Sequence, residues 1–138
     1  ARYEGEEGFT TIADIFSAES NPGRKRPFAM RSVMRAVVDA DGGYLERWRD
    51  WADAQTAMVW DCHVCGVPAT LIGIESRQQA CIGYTPNDGP NAWTAATLFP
   101  RSSKKVELYR YVLAVPITFC IDPVFIPRVT GKAVTATA

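Results

Sequence analysis

Only one histidine, His63, occurs in 138 residues, and fifteen lysines and arginines balance fifteen aspartates and glutamates. With no net charge, nothing draws the chain over a distance to nucleic acid or an acidic membrane. Little self-repulsion opposes association either. Long apolar runs are also missing. The longest, residues 111–121, is about half of the ~20 residues a spanning helix needs, and Pro116 interrupts it. The opening segment, Ala1-Arg2-Tyr3-Glu4-Gly5-Glu6-Glu7, is acidic and has no apolar run, so it does not read as a targeting segment. It also lacks an initiator Met, which suggests a chain excised from something longer. The expected setting is the cytoplasm. No Gly-x-Gly pattern leads into a helix, no pair of carboxylates is spaced for acid–base work, and no internal repeat is present.

What is present suffices for one domain. The apolar fraction is 47% and the charged fraction 22%, values at which a chain of this length builds a single core. Residues 1–8 read as a frayed terminus. Asn21-Pro22-Gly23 is a turn signal, and Arg24-Lys25-Arg26 and Pro27 follow it. Met30, Val33, Met34, Val37 and Val38 recur at helical spacing and predict a helix over 27–39, stopped by Asp41-Gly42-Gly43. Short strands are expected over 44–48 and 56–60, and a third over 67–74, where Val, Ile, Leu and Thr accumulate. His63 to Gly66 separates the last two, which makes an antiparallel hairpin of 56–61 and 67–74. Trp48 and Trp51 are expected as anchors at its edge. Residues 78–94, rich in Gly, Pro, Asn and Asp, read as a long loop. Residues 95–99 suit a strand, and Ser102 or Ser103 suits the cap of a helix starting at Lys104. The segment 106–138 reads as extended pieces punctuated by Pro116, Pro123 and Pro127, with strands between Pro116 and Pro127 covering the sheet.

Candidate chemistry is sparse. Cys62 and Cys65 have the spacing of half a zinc site, but Cys81 and Cys120 have no close Cys or His partner, so no metal is expected. Reduced thiols serve as small apolar residues instead. His63 would have to serve any thiol nucleophile, and adjacency along the chain does not orient a base. Arg24-Lys25-Arg26 and Lys104-Lys105 are short basic clusters; the latter, near an expected helix start, suits a phosphate.

Five stretches, taken in order, resemble the front part of the carboxyltransferase domain of biotin-dependent acyl-CoA carboxylases of the long single-chain bacterial type. They are Asn21-Pro22-Gly23-Arg24-Lys25-Arg26-Pro27-Phe28-Ala29-Met30-Arg31, Tyr44-Leu45-Glu46-Arg47-Trp48, Leu71-Ile72-Gly73-Ile74-Glu75-Ser76-Arg77, Asp88-Gly89-Pro90 and Thr97-Leu98-Phe99-Pro100-Arg101-Ser102-Ser103-Lys104-Lys105-Val106. The likeness runs from about residue 9 to residue 106, leaving 107–138 as a divergent, proline-punctuated tail.

The resemblance implies an α/β fold, part of a crotonase-like domain of ββα repeats: one helix plus a sheet containing a β-hairpin, with a tail foreign to the family. It also implies transfer of a carboxyl group from carboxybiotin to an acyl-CoA of the acetyl-CoA or propionyl-CoA type. The expected cofactor is biotin, carried on a separate domain or chain. The expected partners are the acyl-CoA, the biotin carboxyl carrier domain and a second carboxyltransferase half or subunit. Arg101, Lys104 and Lys105 are the expected contacts to the CoA phosphates. Such enzymes stabilise the enolate and biotin ureido anions with backbone N–H groups held in oxyanion holes, so no acid–base side chain is expected. The sequence departs from the family at Gln78-Gln79-Ala80-Cys81, at Thr94-Ala95-Ala96 and after Val106, where the loop supplying the first oxyanion hole is not found. The second half-domain is also absent, and the chain is expected to be inactive alone. The alternative is a small non-catalytic domain that binds a ligand or a partner chain.

Overall fold

The computed structural model describes residues 1–83, 91–112 and 118–121. The structure is mixed α/β, and a hairpin lies at its centre. Strand β2 (Ala57–Val64) pairs antiparallel with β3 (Val67–Ile74), in register from Ala57 opposite Ile74 to Val64 opposite Val67. Only Cys65 and Gly66 remain for the turn. Both have positive φ, 53° and 77°, the signature of the type I′ turn whose twist matches that of the flanking strands. The carboxylate of Asp39 accepts both turn N–H groups, at 2.8 and 2.7 Å. Strand β1 (Tyr44–Arg47) pairs antiparallel with β2 on its other side. A further strand, Thr118–Ile121, lies parallel to β3, Thr70 facing Thr118 and Gly73 facing Ile121. Pro68 is tolerated near the start of β3 because that parallel pairing begins only at Thr70.

Helix α1 (Ile12–Phe16) is followed by a 3-10 turn at Pro22–Arg24 and by helix α2 (Met30–Val37). A short ribbon pairs Gln79–Ala80 (β4) with Ala92–Trp93 (β5), and helix α3 (Pro100–Val112) then leads towards the parallel strand, β6. Sheet order is β1-β2-β3-β6.

Successive strand residues face opposite sides, so the sheet has two covered faces. On one, Met30 and Met34 of α2 meet Met58, Trp60 and Leu71, together with Tyr3, Phe9, Ile15 and Phe28. On the other, Val59 and Ile72 pack with Trp48 and with Val106 of α3. The Trp48 and Trp51 rings meet edge-on, centroids 6.5 Å apart. Gly73 sets the spacing of the first layer: a Cβ there would lie 2.5 Å from the Met34 sulfur and 2.8 Å from Met30 Cγ.

The antiparallel hairpin and the third strand fall where the sequence predicts, but several details differ. Residues 1–8 are not frayed: Tyr3 is buried, its N–H donates to the Thr10 carbonyl, and Arg2 bridges Thr11. Helix α2 starts at Met30, three residues later than expected, because the chain is still extended at Ala29 (φ −72°, ψ 105°); the N–H groups of Phe28, Ala29 and Met30 go to Ser76, Tyr3 and Glu75. Val37 is exposed and Val38 lies just past the helix. β2 continues to Val64, so His63 belongs to the strand and not to the turn. The loop over 78–94 has the β4–β5 ribbon near its ends; residues 84–90 lie outside the described residues. Residues 95–99 form no strand, since the chain turns there with Ala96 at φ 53°. α3 starts at Pro100, where a missing N–H costs nothing, and runs across the expected boundary at 106–107. Ser102 is inside that helix, buried, and bonded to the Thr56 hydroxyl instead of capping. In the tail, β6 extends the sheet edge and does not lie across a face; the prolines lie outside the described residues. Among the described residues, no helix is long and apolar enough to cross a membrane.

Candidate functional site

The densest polar cluster stands at the carboxyl end of β3. Glu75 is 1% exposed, and its carboxylate accepts the N–H groups of Met30, Ser76 and Arg77 at 3.4, 3.0 and 3.3 Å. The Arg77 guanidinium grips both its oxygens, at 3.3 and 3.1 Å. Because Met30 opens α2, the negative charge also meets the positive end of that helix. The Ser76 hydroxyl donates to the Phe28 carbonyl at 2.6 Å and accepts the Phe28 N–H at 2.7 Å. Arg77 also reaches Glu7 at 3.0 Å, and the other Glu7 oxygen accepts the Tyr3 hydroxyl. Burial pushes the Tyr3 phenol up to about 12. Burial also pushes Glu7 upward, but the Tyr3 and Arg77 hydrogen bonds outweigh it and hold that carboxyl below its usual range. These bonds are all internal. The cluster fastens the N-terminal arm, α2 and β3 together.

A second feature is an open cleft of about 490 Å³ near the hairpin turn, walled by Gly43, Tyr44, Leu45, Asp61, His63 and Pro68. Cys62 and His63 are successive strand residues, so their side chains leave opposite faces. The Cys62 thiol is buried and donates to the Ala69 carbonyl at 3.6 Å. Burial, with Asp61 and Asp39 nearby, pushes its pKa up, which keeps it from the thiolate form a nucleophile needs. Cys65 is in the exposed turn, so the CxxC pair is divided between core and solvent. Among the described residues, no three His, Cys, Asp or Glu side chains are arranged to hold a metal ion.

The three cations assigned to CoA phosphates do not stay together. Arg101 and Lys104 are exposed, one helical turn apart near the start of α3, where three-residue spacing puts both on one side. Arg101 donates to the Ala52 carbonyl at 3.4 Å. Lys105 is different: it is 1% exposed, and its Nζ donates to the Ala57 carbonyl at 2.8 Å. Lys105 is therefore withdrawn from the phosphate cluster, because a buried ammonium tied to the backbone of β2 does not meet a ligand in solvent. Arg24 and Arg26 are also engaged, with the carbonyls of Phe16, Ser20 and Glu7.

Among the described residues, the Ser76 and Arg77 N–H groups converge on one oxygen, the arrangement an oxyanion hole uses, but that oxygen belongs to Glu75. Cys65 and Gly66 donate instead to separate oxygens of Asp39. Both pairs are satisfied from within the chain. The roles of Asp39 and Glu75 were not legible beforehand. Asp39 acts across 26 residues and Glu75 across 45, and no local pattern announces such partners. Comparison of the chain with protein-family models, with curated proteins and with solved structures found no match.

Proposed function

We propose that residues 9–106 are the front part of a carboxyltransferase domain of a biotin-dependent acyl-CoA carboxylase, and that this chain does not transfer a carboxyl group alone. The observation that carries the reading is the order β2, β3, α3, β6, with the β4–β5 ribbon inserted between β3 and α3: an antiparallel hairpin, a helix, and then a strand parallel to the second strand of the hairpin. That is the local connectivity of one ββα unit followed by the first strand of the next, and it agrees with the family stretches read from the sequence. Arg101 and Lys104 remain as contacts for CoA phosphates, two exposed cations near a helix start where the macrodipole also favours anions. Biotin would arrive on a separate carrier domain or chain. Its contacts would fall to a second carboxyltransferase half, so no residue of this chain is assigned to it.

The chemistry of the step supports inactivity of this chain alone. Carboxyl transfer generates an enolate and a deprotonated ureido oxygen, each of which needs convergent donors in place beforehand. The Ser76 and Arg77 N–H groups, which converge on one oxygen, are already bound to Glu75 of the same chain.

Calorimetric titration with acetyl-CoA and with free CoA tests the ligand assignment. Both should bind weakly and with strong salt dependence, and Arg101→Ala with Lys104→Ala together should lower affinity at least tenfold, about 1.4 kcal/mol or more. Undiminished binding in that double variant, or no binding by the wild type, would remove the assignment. A second reading, a small non-catalytic ligand- or partner-binding domain, is favoured by the cleft beside Leu45, a side chain 55% exposed.

A further inference from the structure

Lys105 is a buried cation to which the reading above gives no task. Its position follows from the sheet. Strand carbonyls alternate in direction, and the Thr56 carbonyl points to β3, where it accepts the Glu75 N–H at 2.9 Å. The Ala57 carbonyl therefore points the other way, towards β1. But β1 pairs only as far as Arg47 opposite Val59, after which the chain turns off with Trp48 at φ 49°. The Ala57 carbonyl faces a place the strand has left, and Lys105 reaches in from α3 to bond it at 2.8 Å. The same helix is tied nearby by Ser102 to Thr56 and by Val106 packing against Val59 and Ile72.

An ammonium brings three donors, and this one has a single hydrogen-bond acceptor among the described residues. Burying its charge is costly, and burying the neutral amine is much less so. The charged groups around it divide. Glu46 of β1 and Asp50 of the β1–β2 connection favour the ammonium, while Arg31 of α2, paired with Glu46 at 2.6 Å, opposes it. On α3 itself the neighbouring charges, Arg101, Lys104 and Glu107, are exposed.

We propose that Lys105 is a protonation-controlled latch that holds α3 on the sheet, closing more firmly when the amine is neutral. Burial pulls the docked amine down to about 8 from an ordinary 10.5. An undocked Lys105 thus keeps its proton over a range of pH in which the docked one has lost it. Within that window the undocked state binds more protons, so raising the pH favours docking. Below pH 8 both states are protonated, and docking carries the full cost of the buried charge. The device sits in the helix that leads from the β4–β5 ribbon towards β6, so it governs whether that next strand is presented in register. It does not depend on the carboxyltransferase reading.

Hydrogen exchange of the full chain tests it. Protection factors of α3 amides, corrected for intrinsic exchange, should rise by about tenfold between pH 7 and pH 9, as pKa values of 8 and 10.5 require. In Lys105→Met, which keeps the length of the side chain and drops the charge, they should not change with pH. A flat wild-type profile, or the same rise in the variant, overturns the latch. Should Lys105→Met not fold, NMR titration of the Lys105 ε-methylene in the wild type decides. A midpoint within about one unit of the ordinary lysine value overturns the proposal, and a lower one supports it.

Discussion

Cys65 stands where a two-residue hairpin turn favours asparagine, at φ 53° ahead of a glycine at 77°. Cys65→Asn should raise stability by about 0.5–1 kcal/mol, read as a higher melting temperature with unchanged far-ultraviolet dichroism. No gain would mean that the turn is not type I′. The thiol disguised this turn in the sequence: with Cys65 in the asparagine position, residues 63–66 read as a four-residue separator and His63 as a turn residue. Glu75 was hidden differently. It belongs to a stretch noticed for its family resemblance, yet Met30, which it caps, and Glu7, which shares Arg77 with it, come from distant parts of the chain. Glu75→Ala leaves three backbone N–H groups without their acceptor and the Arg77 guanidinium with Glu7 alone, and should cost about 3 kcal/mol. Chemical denaturation measures it; a loss within 0.5 kcal/mol, the usual range for surface sites, would show that the cluster is not a fastening.

For the elements, the β-branched run fixed β3 in the sequence to the residue, whereas the helices were harder. α2 begins only after an extended Ala29, in a segment held by the distant Ser76, Tyr3 and Glu75, so Pro27 did not mark its start. α3 has little apolar periodicity across Arg101 to Glu107, and its two serines suggested a later cap. The buried Ser102–Thr56 pair and the buried Lys105 arise from tertiary packing that no local rule anticipates. The contact between α2 and β3 is the most exacting. Gly73→Ala places a methyl group against Met30 and Met34 and should cost about 1–3 kcal/mol as the helix is pushed off the sheet. Calorimetry checks this; an unchanged melting temperature would show that the two methionines move aside freely.

At the scale of the whole molecule, acid should loosen the arm and the sheet edge together. Glu7 and Glu46 are both held below their ordinary value of 4.5. In each, burial pushes upward and is outweighed, by Tyr3 and Arg77 for Glu7 and by Arg31 for Glu46. A depressed folded-state pKa contributes stability that is present above the unfolded value and lost as pH falls through the folded one. Stability should therefore decline on acidification below about pH 4.5, and this decline should shrink in Arg77→Met and in Arg31→Met. Equal acid sensitivity in both variants would contradict it. The α/β character and the central hairpin were legible in the sequence because hydrophobic period and turn residues encode them locally. The exposure of the three cations was not legible: Arg101 and Lys104 are exposed and Lys105 is buried, because the helix that carries them packs on β2.

The most direct test of the carboxyltransferase reading joins residues 9–106 to the remainder of a biotin-dependent carboxyltransferase domain, replacing the tail and supplying the second half. Formation of labelled malonyl-CoA from labelled carboxybiotin and acetyl-CoA is then measured for this chimaera and for the chain itself. The account predicts product from the chimaera and none from the chain. Product from the chain alone, or a folded chimaera that makes none, would contradict it.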